Sequence, residues 1–269
     1  MPNQNTTIQL EIDKGIAFLK LNRPEKMNSF NAAMHAEIHE SLDYIERSSD
    51  VRVLVITGSG RGFCAGQDLA DSEVQFLPSQ EPPDLGDVVE RHYKPMISKL
   101  TSLRVPTIAA VNGVAAGAGV SLALACDVII ATESASFILP FANIGLIPDT
   151  GCSWHLPLRI GQARAMGLAM TGQKLFAKKA EEWGMIWECV GNDLFQSHVE
   201  TLAKKFANMP TTALVRTRLA FQTAQNHTLE QHLSFEGLLM RELGKSSDYV
   251  EGVSAFLEKR SPNFSGINK

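Results

Sequence analysis

The sequence predicts a mixed α/β body followed by an α-rich tail, and three observations carry that expectation. Two small-residue turns, Gly62-Phe63-Cys64-Ala65-Gly66-Gln67-Asp68 and Asn112-Gly113-Val114-Ala115-Ala116-Gly117-Ala118-Gly119, each follow an apolar run of buried-strand character and open toward a helix. The amino-terminal region reads strand, strand, helix, strand. From residue 195 onward, four successive segments carry apolar residues at helical spacing.

Each element follows from its residues in order. Thr7 to Ile12 and Ile16 to Leu21 alternate apolar and polar residues around Asp13-Lys14-Gly15, the pattern of a β-hairpin. After the turn Asn22-Arg23-Pro24-Glu25, residues 31 to 47 place Met34, Ile38, Leu42 and Ile45 on one helical face, and Val51 to Thr57 form a short β-branched run. Glu73 to Leu85 holds Pro78, Pro82 and Pro83 among acidic residues, which predicts a surface insertion over the first turn. A helix from about Asp87 to Leu103 stops before Pro106, and the strand Thr107 to Val111 feeds the second turn. A small apolar helix follows from Ala118. Asp127 to Ala131 and Phe137 to Leu139 read as further strands, and Gly145 to Gly151 as another turn. The chain is read as largely helical from Gln162, with tail helices at 195–208, 212–225, 228–243 and 247–259. The expected division is residues 1–193 as the α/β core and 194–269 as the helical region.

Composition excludes several function classes. The chain has 269 residues, 44% apolar and 20% charged, enough for one elaborated domain with a sizeable core. A net charge of −4 and scattered basic residues argue against a surface built to neutralise phosphates, so no nucleic-acid partner is expected. No apolar run approaches the roughly 20 residues that span a bilayer and the amino terminus has no apolar signal region, so the expected location is cytoplasmic, without a membrane partner. Cys64, Cys126, Cys152 and Cys189 lie far apart, which predicts reduced thiols and no zinc site or disulfide framework.

Side-chain-poor turns at helix starts expose backbone N–H groups, and two of them can hold one developing oxyanion. The alternative is that their glycines only let strands and helices pack closely. Asp149, in Ile147-Pro148-Asp149-Thr150-Gly151, is the candidate acid–base. Ile144, Leu146 and Ile147 would give it an apolar wall that raises its pKa, and the alternative is a cap for a helix over Cys152 to Leu158. His35 and His39 are four apart on a helix, but His-Ala-Glu-Ile-His is not a zincin order and a solvated face is expected. Gly119-Val120-Ser121-Leu122-Ala123 lacks the last glycine of a nucleophile elbow, and Gly117-Ala118-Gly119 lacks the third glycine of a dinucleotide fingerprint. Trp183 and Trp187 are assigned to packing.

Taken together, Leu21-Asn22-Arg23-Pro24, the two turns, Gly145 to Pro148 and Glu251-Gly252-Val253-Ser254-Ala255-Phe256 resemble the crotonase, or enoyl-CoA hydratase/isomerase, superfamily over nearly the whole chain. The resemblance implies a crotonase (ClpP-like) spiral of ββα repeats with a carboxy-terminal helical trimerisation region, in a trimer or dimer of trimers. It implies an acyl-CoA thioester substrate whose carbonyl is polarised by the backbone N–H groups of Gln67 and Ala118. The two glutamates of enoyl-CoA hydratases fall at Ser121 and Phe141, which disfavours hydration, and Asp149 falls where certain isomerases carry their acid. It further implies acyl-CoA contacts from Lys26, Ala65, Gly66, Asp68, Leu69, Gly117, Ser121 and Phe141, and from Phe256 and Lys259 reaching a neighbour's ligand, with no metal or redox cofactor. Finer similarity, including Ala163 to Ala169 and Glu182-Trp183-Gly184-Met185-Ile186-Trp187, points to the branch that isomerises ring-1,2-epoxyphenylacetyl-CoA in bacterial phenylacetate degradation and also shifts double bonds between the 3,4 and 2,3 positions. Three alternatives stay open. One is a hydratase. Another is a chlorobenzoyl-CoA dehalogenase with Asp149 as nucleophile, although the histidine and tryptophan of that chemistry are replaced by Lys94 and Phe141. The third is a non-catalytic RNA-binding scaffold.

Overall fold

In the computed structural model, which describes residues 6–76 and 81–266, the chain winds as a spiral that alternates between two sheets. It opens with the antiparallel hairpin β1 (Ile8–Asp13) and β2 (Ile16–Leu21), then α1 (Ala32–Arg47), capped by the Asn31 side chain accepting from Met34 N. The first full turn is β3 (Val53–Gly58) and β4 (Gly62–Cys64), followed by α2 (Leu85–Val88), one turn of π-helix (Val89–Tyr93) and α3 (Lys94–Ser102). The second is β5 (Thr107–Val111), β6 (Val114–Ala116) and α4 (Ala118–Leu124). The third has β7 (Val128–Thr132) and β8 (Ser136–Ile138), a short 3-10 turn at Pro140–Ile144, α5 (Cys152–Ile160) and α6 (Gln162–Thr171). Then come β9 (Leu175–Phe176), α7 (Ala177–Glu182), β10 (Glu188–Val190), α8 (Phe195–Ala207), α9 (Thr211–Ala224), α10 (Leu229–Leu243) and α11 (Ser247–Glu258).

The main sheet runs β1-β2-β3-β5-β7-β10, parallel from β2 onward, and the second runs β4-β6-β8-β9. Val53-Leu54-Val55-Ile56 of β3 is buried throughout because both faces of the main sheet are covered. One face packs against Met34, Ile38 and Leu42 of α1 and Met96 and Leu100 of α3. The other is closed by Phe195, Val199, Ala203 and Ala207 of α8 over Val53, Val55, Ile108 and Ile130.

Several sequence expectations are corrected. The two turns are not wholly loops, since each contains a three-residue strand, β4 or β6, belonging to the second sheet. The stretch after Gln162 includes β9 and β10, which are too short to show a period. The helix expected from Asp87 to Leu103 is interrupted by the π turn. Of the proline-bearing insertion, residues 77–80, with Pro78, lie outside the described residues, while Val74 is buried in the core. His35 is not on a solvated face but is 1% exposed. Trp183 packs partly against the core beneath Arg164, whereas Trp187 is 70% exposed, so packing accounts for only one of the pair.

The tail is tied to the spiral by one buried guanidinium. Arg218 of α9 binds both carboxylate oxygens of Asp127, at 2.6 and 2.7 Å, and donates to the Leu103 and Val105 carbonyls. Asp127 in turn accepts from the Thr107 N–H at 2.7 Å. Removing one partner of such a pair leaves an uncompensated charge, so Arg218→Ala should cost about 3–5 kcal/mol of unfolding free energy in urea titration. A loss below about 1 kcal/mol, the size of an exposed ion pair, would contradict this account.

Candidate active site

The two turns meet. Glycines at 66 and 117 adopt φ of +90° and +52°, conformations that strain a residue with a Cβ. Each directly precedes a candidate donor, Gln67 or Ala118. A Cβ on Gly66 would stand 2.9 Å from the Ala116 carbonyl oxygen and 3.3 Å from the Ala118 nitrogen, so the turns touch through their backbones. Close packing also contributes, since a Cβ on Gly119 would fall 2.2 Å from the Cys64 oxygen. Close approach is thus required at both Gly66 and Gly119.

The hydrogen bonding around the turns leaves these two N–H groups over. Phe30 N donates to Gly66 O at 2.7 Å and Asp68 N to Phe30 O at 2.8 Å, a parallel bridge that turns the intervening Gln67 N–H away from Phe30. Gly117 N is taken by Ile138 O at 3.0 Å, and Ala118 begins α4. Among the described residues, neither the Gln67 N–H nor the Ala118 N–H donates to a protein acceptor. The Ala65 N–H is occupied by Met27 O at 3.0 Å.

Asp149 is brought to the same place through its backbone. Ser121, one turn into α4, is fully buried and donates its hydroxyl to the Asp149 carbonyl at 3.1 Å. The sequence points to Ser121 as a substrate contact, but its hydroxyl is committed to the Asp149 loop instead. The carboxylate accepts from Thr150 Oγ1 at 3.0 Å. Thr150 has φ +54°, a left-handed conformation that costs a β-branched residue about 1–3 kcal/mol and is characteristic of functional loops. Burial pushes the Asp149 carboxyl above its ordinary pKa, against the Thr150 hydrogen bond. The capping alternative fails, because α5 is preceded by Gly151 and has no side-chain cap.

The expected apolar wall is also different. Ile144, Leu146 and Ile147 are 56%, 40% and 77% exposed, so they do not enclose the carboxylate. Thr150, Ser121 and Cys152 are buried around the loop, and the phenol of buried Tyr93 is raised well above its usual value by burial, with the Asp149 charge adding to it. Cys152 and Cys64 are pushed up to about 12 by burial, which keeps both thiols protonated and non-nucleophilic. Phe141 is buried, and its ring tip stands 3.7 Å from where a Gly117 Cβ would be.

Sequence reasoning missed Tyr93. Its hydroxyl donates to Gln67 Oε1 at 2.5 Å, and its ring meets Phe30 and His35 edge-on at centroid distances of 5.5 and 4.5 Å. The available signal was the five-residue step between the buried Val88 and Tyr93, where an α-helix would repeat after three or four. His35 stacks between Phe30 and His92 at 5.0 and 4.9 Å, with neither ring nitrogen hydrogen-bonded. The Gln67 side chain approaches it without closing a bond of ordinary geometry. Burial, with His92 and His39 beside it, lowers the His35 pKa to about 3 and keeps the imidazole neutral.

The remaining sequence-assigned residues divide. Asp68 lies beside the first turn and is paired with Arg23 at 2.8 Å, Lys26 is exposed nearby, and Leu69 is 62% exposed. Phe256, 82% exposed, lines a cavity of about 450 Å³ with Met240, Tyr249 and Phe264, and Lys259 terminates α11 in a left-handed cap. That cavity is lined by neither Asp149 nor the turns, so within one chain Phe256 is not gathered with them.

The spiral sets two consecutive turns against each other, each leaving an N–H group that no protein acceptor takes among the described residues, with the Asp149 loop tied to the helix that the second turn opens. The profile described as Enoyl-CoA hydratase/isomerase matches residues 11–267, and the chain belongs to that family. It is 50% identical over 255 residues to the 1,2-epoxyphenylacetyl-CoA isomerase of Escherichia coli (strain K12), covering 95% of this chain and 97% of that protein. It is 44% identical to a probable enoyl-CoA hydratase of Rhodobacter capsulatus, covering 97% of this chain and 98% of that one. A crystal structure of a putative enoyl-CoA hydratase from Streptomyces coelicolor A3(2) superposes with a TM-score of 0.90 at 31% identity, covering 99% of this chain and 97% of that chain. Among the described residues no helix is long and apolar enough to cross a membrane.

Proposed function

We propose that the protein is an acyl-CoA isomerase in which Asp149 moves one proton and the Gln67 and Ala118 N–H groups hold the thioester oxygen. The observation that carries this reading is the Ser121–Asp149 tie, which sets the Asp149 loop on the helix that opens with a free donor, while the hydratase carboxylate positions are Ser121 and Phe141. In the double-bond shift, the Asp149 carboxylate takes a proton from the carbon between the thioester and a 3,4 double bond. The C–H pair enters the conjugated system and charge develops on the thioester oxygen, where preorganised donors each contribute about 3–4 kcal/mol. The Asp149 carboxylic acid then returns the same proton to the fourth carbon, giving the 2,3 double bond and restoring the carboxylate. No atom is gained or lost, and neither metal nor redox cofactor is needed.

The ring epoxide of phenylacetyl-CoA is the favoured substrate on the strength of the Escherichia coli relative, with linear 3-enoyl-CoA as a second. Hydration is the alternative kept, since other relatives carry that name. Dehalogenation has less support, because Lys94 pairs with Glu90 on the surface at 2.6 Å and Phe141 offers no hydrogen-bonding group. Purified protein should isomerise 3-enoyl-CoA and the ring epoxide and hydrate crotonyl-CoA slowly. Rapid hydration that survives Asp149→Asn would overturn the assignment.

The same reading includes a cytoplasmic trimer or pair of trimers in which Phe256 and Lys259 reach a neighbour's acyl-CoA, with Lys26, Ala65 and Asp68 near the CoA portion. In a single chain Phe221, Leu229, Leu233, Met240, Phe256 and Leu257 are all more than half exposed, a large apolar area for an isolated protein. Sedimentation equilibrium should return three or six times the 29.4 kDa chain mass, and a monomer would remove this part of the proposal.

A further inference from the structure

We propose that Tyr93 is a positioning residue for the oxyanion site, acting through its hydrogen bond to the Gln67 side chain. The inference rests on the reading of Gln67 as an oxyanion donor. Gln67 is held on its backbone by the bridge to Phe30 and on its side chain by the Tyr93 hydroxyl. Both anchors converge on one aromatic group, because the Phe30 ring packs edge-on against Tyr93 and stacks on His35. Tyr93 itself is 3% exposed and ends the π turn, whose extra residue shifts the helix register so that the phenol faces the first turn.

The arrangement has a direct physical consequence. Gln67 follows a glycine at φ +90°, a conformation that imposes no side-chain restraint of its own, so the peptide plane carrying the donor is steadied by what Gln67 bonds to. A buried phenol must place its O–H on an acceptor, and here that acceptor is the Gln67 amide oxygen. His35 adds a neutral ring against the phenol, edge-on at a centroid distance of 4.5 Å. Tyr93 therefore acts on a donor and not on the proton that Asp149 carries.

The test uses Tyr93→Phe, which keeps the ring, Gln67→Met, which removes the acceptor, and the double variant. Two readouts are taken: isomerisation kinetics, and the infrared carbonyl band of bound butyryl-CoA labelled with carbon-13 at the thioester, a ligand without a double bond to move. In the unaltered protein the band should shift to lower frequency on binding. Tyr93→Phe should lose part of that shift and lower kcat roughly three- to tenfold, the value of one hydrogen bond, with KM nearly unchanged. Gln67→Met should do the same, and the double variant should lose no more than either single one, because both remove one interaction. An unchanged band and kcat in Tyr93→Phe, or losses that multiply in the double variant, would overturn the proposal. A wild-type band that does not shift at all would instead overturn the oxyanion-site reading beneath it. Melting temperatures separate either result from misfolding, and Gln67→Met decides the same question should Tyr93→Phe not fold.

Discussion

Asp149→Asn is expected to lower kcat for 3-enoyl-CoA isomerisation by roughly 10²–10⁴-fold, the range a positioned general acid–base supplies. Asparagine keeps the size of the side chain and an oxygen for Thr150 Oγ1, but it cannot take a proton from carbon. The N–H pair is untouched, so KM should change little. Thermal stability should hold or rise, because a carboxylate whose charge is disfavoured by burial has been replaced by a neutral amide. The pH dependence has a definite sign. The first step needs the ionised form, and burial holds the Asp149 pKa above its ordinary value, so kcat/KM should fall as pH drops through that raised value. This acidic limb lies at higher pH than an exposed aspartate would give. A variant that keeps the wild-type rate and the same acidic limb would remove Asp149 from the chemistry.

Gly66→Ala should be the second most damaging change, lowering kcat/KM by roughly 10²–10³-fold, as loss of one oxyanion donor does. The added methyl would meet the Ala116 oxygen at 2.9 Å and crowd the Ala118 nitrogen at 3.3 Å, on a residue already at φ +90°. Relief requires either turn to move, and each carries a donor. Gly161→Ala is the matched control: its φ is +79°, but nothing lies within 4 Å of the new methyl. At ψ 159° it occupies a region almost reserved for glycine, so it should show only that backbone strain, about 1–3 kcal/mol, as lowered stability, with turnover retained. Equal losses of activity in the two variants would show that the turn contact does not set the donors.

The helices and long strands are readable because their periods are long enough to repeat. The sequence pattern places α1 and the strand Thr107–Val111 within a residue of their observed bounds, and α8 to α11 within two residues at either end. What escapes is short or aperiodic. β4 and β6 have three residues each, are built from Gly, Phe, Cys, Val and Ala, and read as turns. The π turn hides inside an otherwise regular helix. At the candidate site, the close approach of the two turns is legible in their glycines, but the environment of Asp149 is not. Ile144 and Ile147 are apolar neighbours in sequence that face outward, while Ser121, remote in sequence, holds the Asp149 loop by its hydroxyl. Sequence proximity is a poor guide to burial in a loop, where no period fixes which way a side chain points.

Strands enter the main sheet in the order β1-β2-β3-β5-β7-β10, so each turn of the spiral rests chiefly on the one before and the one after. The two N–H groups come from consecutive turns, joined where β4 runs beside β6 with a register shift between Gly62 and Cys64. Their alignment is thus a nearest-neighbour property, as in a solenoid, and not a property of the whole domain. Substitutions elsewhere along the stack can drift in stability without disturbing the contact between these two turns. Such a scaffold can vary one layer at a time while the meeting of these two turns stays the same.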